Sequence, residues 1–231
     1  MKTLAIALCC LIIAPLAHAA DIEKPAARTI VLVRHGNYFA DDAIEEKIGP
    51  HLSPLGVAQA YLAGARLANS TMTFDHLYVS PMQRARDTAA AIAPGFPQQR
   101  FEVVDDLAEC TPPTRRADIM ALEKPADLAA CTEKLDRDFE RFFKPAAGKE
   151  QADLIVCHGN VIRYLTTRAL GVDSKAWLEM SVGHASITTI RVEADGKFKV
   201  IAVGDVGHIP PNLRTGATGD AARSLAIPVL P

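Results

Sequence analysis

Four short apolar runs alternate with helix-patterned segments along this 231-residue chain, and that alternation narrows the fold more than any other feature. The runs are TIVLV (29–33), DHLYVS (75–80), RFEVV (100–104) and ADLIVC (152–157). Continuous apolar character, rather than alternation, marks strands covered on both faces, as in a parallel sheet flanked by helices. Between the first two runs, SPLGVAQAYLAGARLAN predicts a helix with Ser53 as N-cap and Pro54 at its first position. Leu55, Ala58, Leu62 and Ala65 recur at helical spacing and predict its buried face. MQRARDTAAAIA predicts a second helix, stopped by Pro94-Gly95. A charged helix is expected around Leu128 to Phe143, and NVIRYLTTRAL predicts a helix closed by Gly171. SITTIRVEA and FKVIAVG read as a hairpin across Asp195-Gly196. The expected fold is α/β: a three-layer sandwich whose central sheet is mainly parallel, with an antiparallel edge and helices on both faces. The tail from Ile209, dense in proline and glycine, is expected to wander over the surface.

Composition sets the outer bounds. With 49% apolar and 23% charged residues, the chain has the make-up of a globular domain, expected over 20–231 with an irregular insertion at about 110–127. A net charge of −2 without a basic run gives no footprint for nucleic acid. At the N-terminus, Lys2, an apolar stretch from Leu4 to Leu16 and Ala17-His18-Ala19 have the three-part layout of a signal peptide over 1–19, with cleavage after Ala19. The stretch falls short of the ~20 residues a membrane span needs. The expectation is therefore a periplasmic or secreted protein, with no membrane association after signal removal. Cys9 and Cys10 would leave with the signal, and Cys157, inside an apolar run, reads as a buried thiol. A bridge between Cys110 and Cys131 and a pair of free thiols are both open, because sequence does not show whether their Cα atoms approach.

In an open α/β sheet, ligands bind beyond the carboxyl ends of the strands. The first run ends on Arg34-His35-Gly36-Asn37 and the fourth on His158-Gly159-Asn160. The second ends on Ser80-Pro81, with Arg84 one turn into the next helix; the third leads to Asp105, Asp106 and Glu109. A glycine behind each histidine lets the backbone turn sharply and a ligand come close. Two histidines at strand ends could hold a metal, but two arginines repel a dication and suit a phosphate, through bidentate forks. No G-x-x-x-x-G-K-[ST] loop is present, so nucleotide-driven transfer is not indicated.

VLVRHG, SPMQRARDTA and VCHGN resemble the histidine phosphatase superfamily, with its phosphoglycerate-mutase-like fold. HLSPLGVAQA, CHGNVIRYLTTRAL, AWLEMSVGHASIT and GDVGHIPP bring the resemblance closer to one branch, the mitochondrial serine/threonine phosphatases called phosphoglycerate mutase family member five. The likeness runs from about Thr29 to Asn212. It implies that His35 is a nucleophile forming a phosphohistidine, and that Arg34, Arg84 and His158 hold the phosphoryl oxygens. It also implies that Glu109 is the proton donor, with Asp105 and Asp106 as alternatives. Asn37 is a further candidate phosphate contact or a residue that shapes the turn. His184 and Ser186 could rim the pocket, while His51 and His208 read as loop residues. The resulting expectation is a metal-independent phosphomonoester phosphatase without cofactor, acting on a small phosphoester or a phosphoprotein, as a monomer or homodimer. A phosphate-binding protein of weak activity and a phosphoglycerate-type mutase are the alternatives.

Overall fold

A computed structural model describes residues 23–41, 43–45 and 47–216 of the chain. The segment 1–19, read above as a signal peptide, lies outside these residues. In chain order the elements are β1 (Pro25–Ala26), β2 (Arg28–Arg34), α1 (Pro54–Ala68), β3 (His76–Val79), α2 (Gln83–Ile92) and β4 (Phe101–Val103). There follow α3 (Ala117–Met120), α4 (Pro125–Phe142), β5 (Ala146–Ala147), β6 (Gln151–Cys157), α5 (Gly159–Leu170), β7 (Ile187–Val192) and β8 (Phe198–Asp205). Six strands form the central sheet in the order β4-β3-β6-β2-β7-β8. β2, β3, β4 and β6 run parallel, and β7 and β8 add the antiparallel edge. The expected α/β sandwich is thus the observed one.

Both faces of the sheet are covered, which accounts for the unbroken apolar runs. Along β2, Ile30 and Leu32 face a layer that includes Leu135 of α4 and Ile162 and Leu165 of α5. Val31 and Val33 face the opposite layer with Leu67 of α1 and Ala85, Ala89 and Ile92 of α2. Burying each such side chain fully stabilises the fold by roughly 1.5–3 kcal/mol before conformational entropy is counted.

Three local expectations need correction. Helix α1 is capped by Ser53, whose hydroxyl accepts from the Gly56 N–H at 3.1 Å, but its buried face is rotated from the expected one. Gly56, Gln59, Ala60, Ala63, Gly64 and Leu67 point inward, while Ala58 and Ala65 are exposed. The cause is backbone proximity. A Cβ at Gly36 would lie 2.4 Å from the Gly56 carbonyl oxygen, and one at Gly56 would lie 1.9 Å from that of Asn37. Only small residues let α1 approach the loop after β2 this closely. Helix α4 starts at Pro125 rather than near Leu128, proline being well suited to a first helical position. Finally, the tail does not wander as far as Gly216: Ile209 and Thr215 are buried.

Candidate active site

The parallel pairing of β2 with β6 sets Arg34 opposite Cys157, so the next residues, His35 and His158, emerge side by side. Their ring centroids are 5.1 Å apart, and both are buried. Arg84 reaches in from the first turn of α2, its Nε 3.2 Å from His35 Nε2. Arg34, Arg84, His35 and His158, named from strand ends in the sequence, are therefore brought together.

Hydrogen bonds define the tautomers of the two imidazoles. His35 Nδ1 is 2.8 Å from the Gly36 carbonyl, which can only accept, so Nδ1 carries the proton. Nε2 is left with its lone pair, which accepts from Arg84. Burial first, then the charges around His158, Arg34 and Arg84, push the His35 pKa well below its ordinary 6.5. The ring is a neutral base whose Nε2 lone pair faces Arg84. His158 is arranged oppositely. Ser80 Oγ is fully buried and accepts from the Met82 N–H at 3.3 Å; its hydroxyl hydrogen has one acceptor among the described residues, His158 Nε2 at 2.6 Å, and is donated there. The proton of neutral His158 is then on Nδ1, which is buried without a hydrogen-bond partner among the described residues. Burial, followed by Arg84 and Arg34, keeps this ring neutral too.

Glu109 is the carboxylate that joins them. Asp106 is tied outward by Nε and Nη2 of Arg137, at 2.9 Å each, and Asp105 is exposed. Glu109 Oε1 is instead buried and unpaired among the described residues. Burial raises its pKa above the ordinary 4.5, and Arg34, Arg84 and the Asn160 N–H at the start of α5 work against that rise. Its loop is held on both sides. Lys134 Nζ donates to Ala108 O at 2.6 Å, Asn160 Nδ2 donates to Cys110 O at 3.2 Å, and Cys110 is disulfide-bonded to Cys131 of α4. The bridge left open by the sequence is formed, with Cα atoms 5.8 Å apart, and Cys157 is a buried free thiol.

Asn37 is committed to the turn. Its N–H donates to Gln59 Oε1 at 2.9 Å and its Oδ1 accepts from Ser53 Oγ at 2.7 Å, which leaves Nδ2 for a ligand. His51 is exposed and bonded to Asp87, and His208 supports the Ala185 carbonyl at 3.0 Å. His184 enters the site, its ring centroid 5.5 Å from that of His35.

Sequence reasoning missed several residues. Arg163, one turn into α5, is buried beside Arg34 and Glu109, with Nε on Met180 O at 3.1 Å. The periodicity of NVIRYL from the HGN turn is the available signal. Tyr38 stacks under the Arg84 guanidinium, 5.1 Å from its ring centroid, and meets His35 edge-on. Arg34 Nη1 is held by Val182 O at 2.7 Å and Gly216 O at 2.8 Å, while its Nε is buried and unpaired among the described residues. Burial lowers its pKa to about 10, so it remains a cation at neutral pH. The site thus presents three guanidinium groups against one carboxyl group, with unpaired N–H donors between them. That arrangement is complementary to a compact dianion.

The sequence matches the histidine phosphatase superfamily (branch 1) over residues 30–205. The chain belongs to this superfamily. A histidine phosphatase relative, the mitochondrial serine/threonine-protein phosphatase Pgam5 of Caenorhabditis elegans, is 37% identical over 195 residues, or 82% of this chain and 67% of the relative. The Mus musculus mitochondrial PGAM5 is 31% identical over 198 residues, covering 82% and 67%. Among solved structures, a phosphoglycerate mutase from Plasmodium falciparum aligns with TM-score 0.57 and 26% identity over 80% of this chain and 96% of its own. A mycobacterial glucosyl-3-phosphoglycerate phosphatase aligns at TM-score 0.56 and 20% identity, over 77% and 99%, which supports the fold. Membership of the histidine phosphatases, together with the phosphatase relatives, supports a phosphatase.

These relatives overturn the expected location. Their names place them in the mitochondrion, so a periplasmic or secreted location does not stand. The physical reason is that a short apolar stretch behind a lysine reports partitioning out of water, and does not select which membrane system receives it.

Proposed function

We propose that this phosphatase hydrolyses phosphomonoesters through a phosphohistidine on His35. The observation that carries the reading is the tautomer of His35: the Gly36 carbonyl holds the proton on Nδ1, so a buried neutral Nε2 keeps its lone pair free for attack. Arg84 Nε donates to that lone pair. A phosphoryl oxygen is a stronger acceptor and draws the guanidinium away as substrate enters. Nε2 then attacks phosphorus, and the bond from phosphorus to the ester oxygen breaks. Glu109, protonated beside the dianion, gives its proton to the departing alkoxide. As a carboxylate it next takes a proton from water, whose oxygen attacks phosphorus; the N–P bond breaks and phosphate leaves. Arg34, Arg84 and His158 Nδ1–H hold the equatorial oxygens throughout, and Asn37 Nδ2 is available to one of them. Positioning and charge stabilisation of this kind supply most of the catalysis of phosphoryl transfer, and no step requires a metal or cofactor.

The substrate is a phosphorylated small molecule or phosphoprotein, the latter suggested by the serine/threonine-phosphatase relatives. The test is hydrolysis of p-nitrophenyl phosphate by the full chain, followed by a panel of phosphopeptides, sugar phosphates and nucleotides. Turnover that resists chelators, is blocked by vanadate and is lost in His35→Ala supports the reading. Unchanged turnover in His35→Ala overturns the mechanism. Phosphate binding without turnover of any ester makes the chain a binding protein.

A further inference from the structure

His184 is the one imidazole of the pocket without a role in that scheme, and its surroundings dictate its protonation. The Asn37 backbone N–H can only donate, so the Gln59 atom 2.9 Å away is its carbonyl oxygen. Gln59 Nε2 therefore points the other way and donates to Leu213 O at 2.6 Å and to Thr215 Oγ1 at 2.9 Å, which uses both its hydrogens. Thr215 Oγ1, already accepting from Gln59, has one other partner among the described residues: His184 Nδ1, at 2.9 Å. The hydroxyl oxygen could accept twice, but its hydrogen has no other acceptor among the described residues and is donated to His184 Nδ1. Nδ1 is the acceptor, and the single proton of the neutral ring sits on Nε2.

That Nε2–H has no partner among the described residues, although His184 is only 8% exposed. A histidine serving the core alone would have both nitrogens satisfied. Here the unsatisfied donor belongs to a ring packed against those of His35 and Tyr38, with centroids 5.5 and 6.0 Å away. Arg34 and Arg84 are close enough to depress its basicity, and burial does more; together they bring its pKa to about 2, so the ring stays neutral. An uncharged donor among guanidinium groups selects an anionic oxygen.

We propose that His184 is a further phosphoryl-contacting residue, donating through Nε2–H to an oxygen of the bound phosphate, and that Gln59 and Thr215 are positioning residues that lock its tautomer. The segment carrying Thr215 serves both sides of the pocket. Gly216 supplies the carbonyl that holds Arg34 Nη1 at 2.8 Å, and a Cβ at Gly216 would come within 2.6 Å of His184 Nδ1. Glycine at 216 is what lets the strap pass this close to the imidazole.

The inference rests on the pocket being a phosphate site, and the experiment separates the two. In the full chain with 15N-labelled histidine, the ring nitrogens of His184 are read by NMR at neutral pH, before and after titration with inorganic phosphate and with orthovanadate. The expected spectrum is an Nε2–H tautomer whose proton moves downfield and exchanges more slowly on anion binding. His184→Ala should weaken phosphate inhibition at least tenfold, His184→Asn should recover part of that through its amide, and Thr215→Val should weaken it severalfold while shifting the ring toward the Nδ1–H tautomer. An Nδ1–H tautomer in the unaltered protein overturns the proposal, as does a His184 signal that ignores both anions. Should His184→Ala fail to fold, Thr215→Val and the spectrum of the unaltered chain decide. Loss of phosphate affinity in a protein that turns over no ester leaves the His184 assignment standing and removes the catalytic reading. Full activity with an indifferent His184 does the reverse.

Discussion

The two ends of the central sheet treat buried charge in opposite ways. At the amino end, Asp153 of β6 is fully buried, with Arg28 Nη1 at 2.8 Å on one carboxylate oxygen and His76 Nδ1 at 2.8 Å on the other. Cation and anion meet there, and three strands are tied together. At the carboxyl end, Arg34, Arg84 and Arg163 face one carboxyl group with a raised pKa, and Arg34 Nε, His158 Nδ1, His184 Nε2 and Glu109 Oε1 are buried without partners among the described residues. Unmet buried polar groups cost about 1–3 kcal/mol each. Among the described residues the amino end leaves one such atom, Arg28 Nε, whereas four gather in one cluster at the carboxyl end, the arrangement expected where a ligand supplies the partners.

The largest effect is expected at the amino end. Asp153→Ala leaves the part-buried Arg28 without its anion and should cost up to about 3 kcal/mol in denaturant unfolding, with kcat of the surviving folded enzyme close to unaltered. A large fall in kcat without loss of stability would contradict the division of labour. At the carboxyl end, Glu109→Gln should lower kcat/KM about 10²–10³-fold for an alkyl phosphate and much less for p-nitrophenyl phosphate, whose leaving group needs no proton. In the proposed mechanism Glu109 acts first as an acid, and its pKa is raised, so activity on the alkyl ester should fall as pH rises through that raised value; the aryl ester should lack this limb. Equal losses on both esters would place Glu109 outside proton transfer. The smallest effect is expected from Cys131→Ser, which opens the Cys110–Cys131 bridge. It should lower stability by about 2–3 kcal/mol and reduce alkyl-ester turnover selectively, by loosening the loop that carries Glu109.

How much of the molecule is legible in its sequence differs by feature. Strand–helix alternation and the His-Gly turns at two strand ends identify the sheet and the edge that carries the candidate site, because burial on both faces and sharp turns leave local signatures. That β2 and β6 are neighbours is a non-local fact with no such signature, and it is what places His35 beside His158. In the sequence Glu109 is one of three nearby acids; the disulfide, Lys134 and the Asp106–Arg137 pair are what orient them. Gln59 and Thr215 leave no sequence signal. Gln59 lies on a helical face read one step out of register, and Thr215 in a segment whose prolines and glycines suggest a surface course.

The central claim, that His35 Nε2 becomes phosphorylated, is tested most directly by rapid acid quench of the enzyme during turnover of a 32P-labelled phosphoester, with immediate peptide mapping. The account predicts an acid-labile label on the peptide carrying His35, at a level that rises before product reaches its steady rate and is absent from His35→Ala. Turnover with no label on His35, or a label that is stable to acid on a hydroxyl residue, would contradict it.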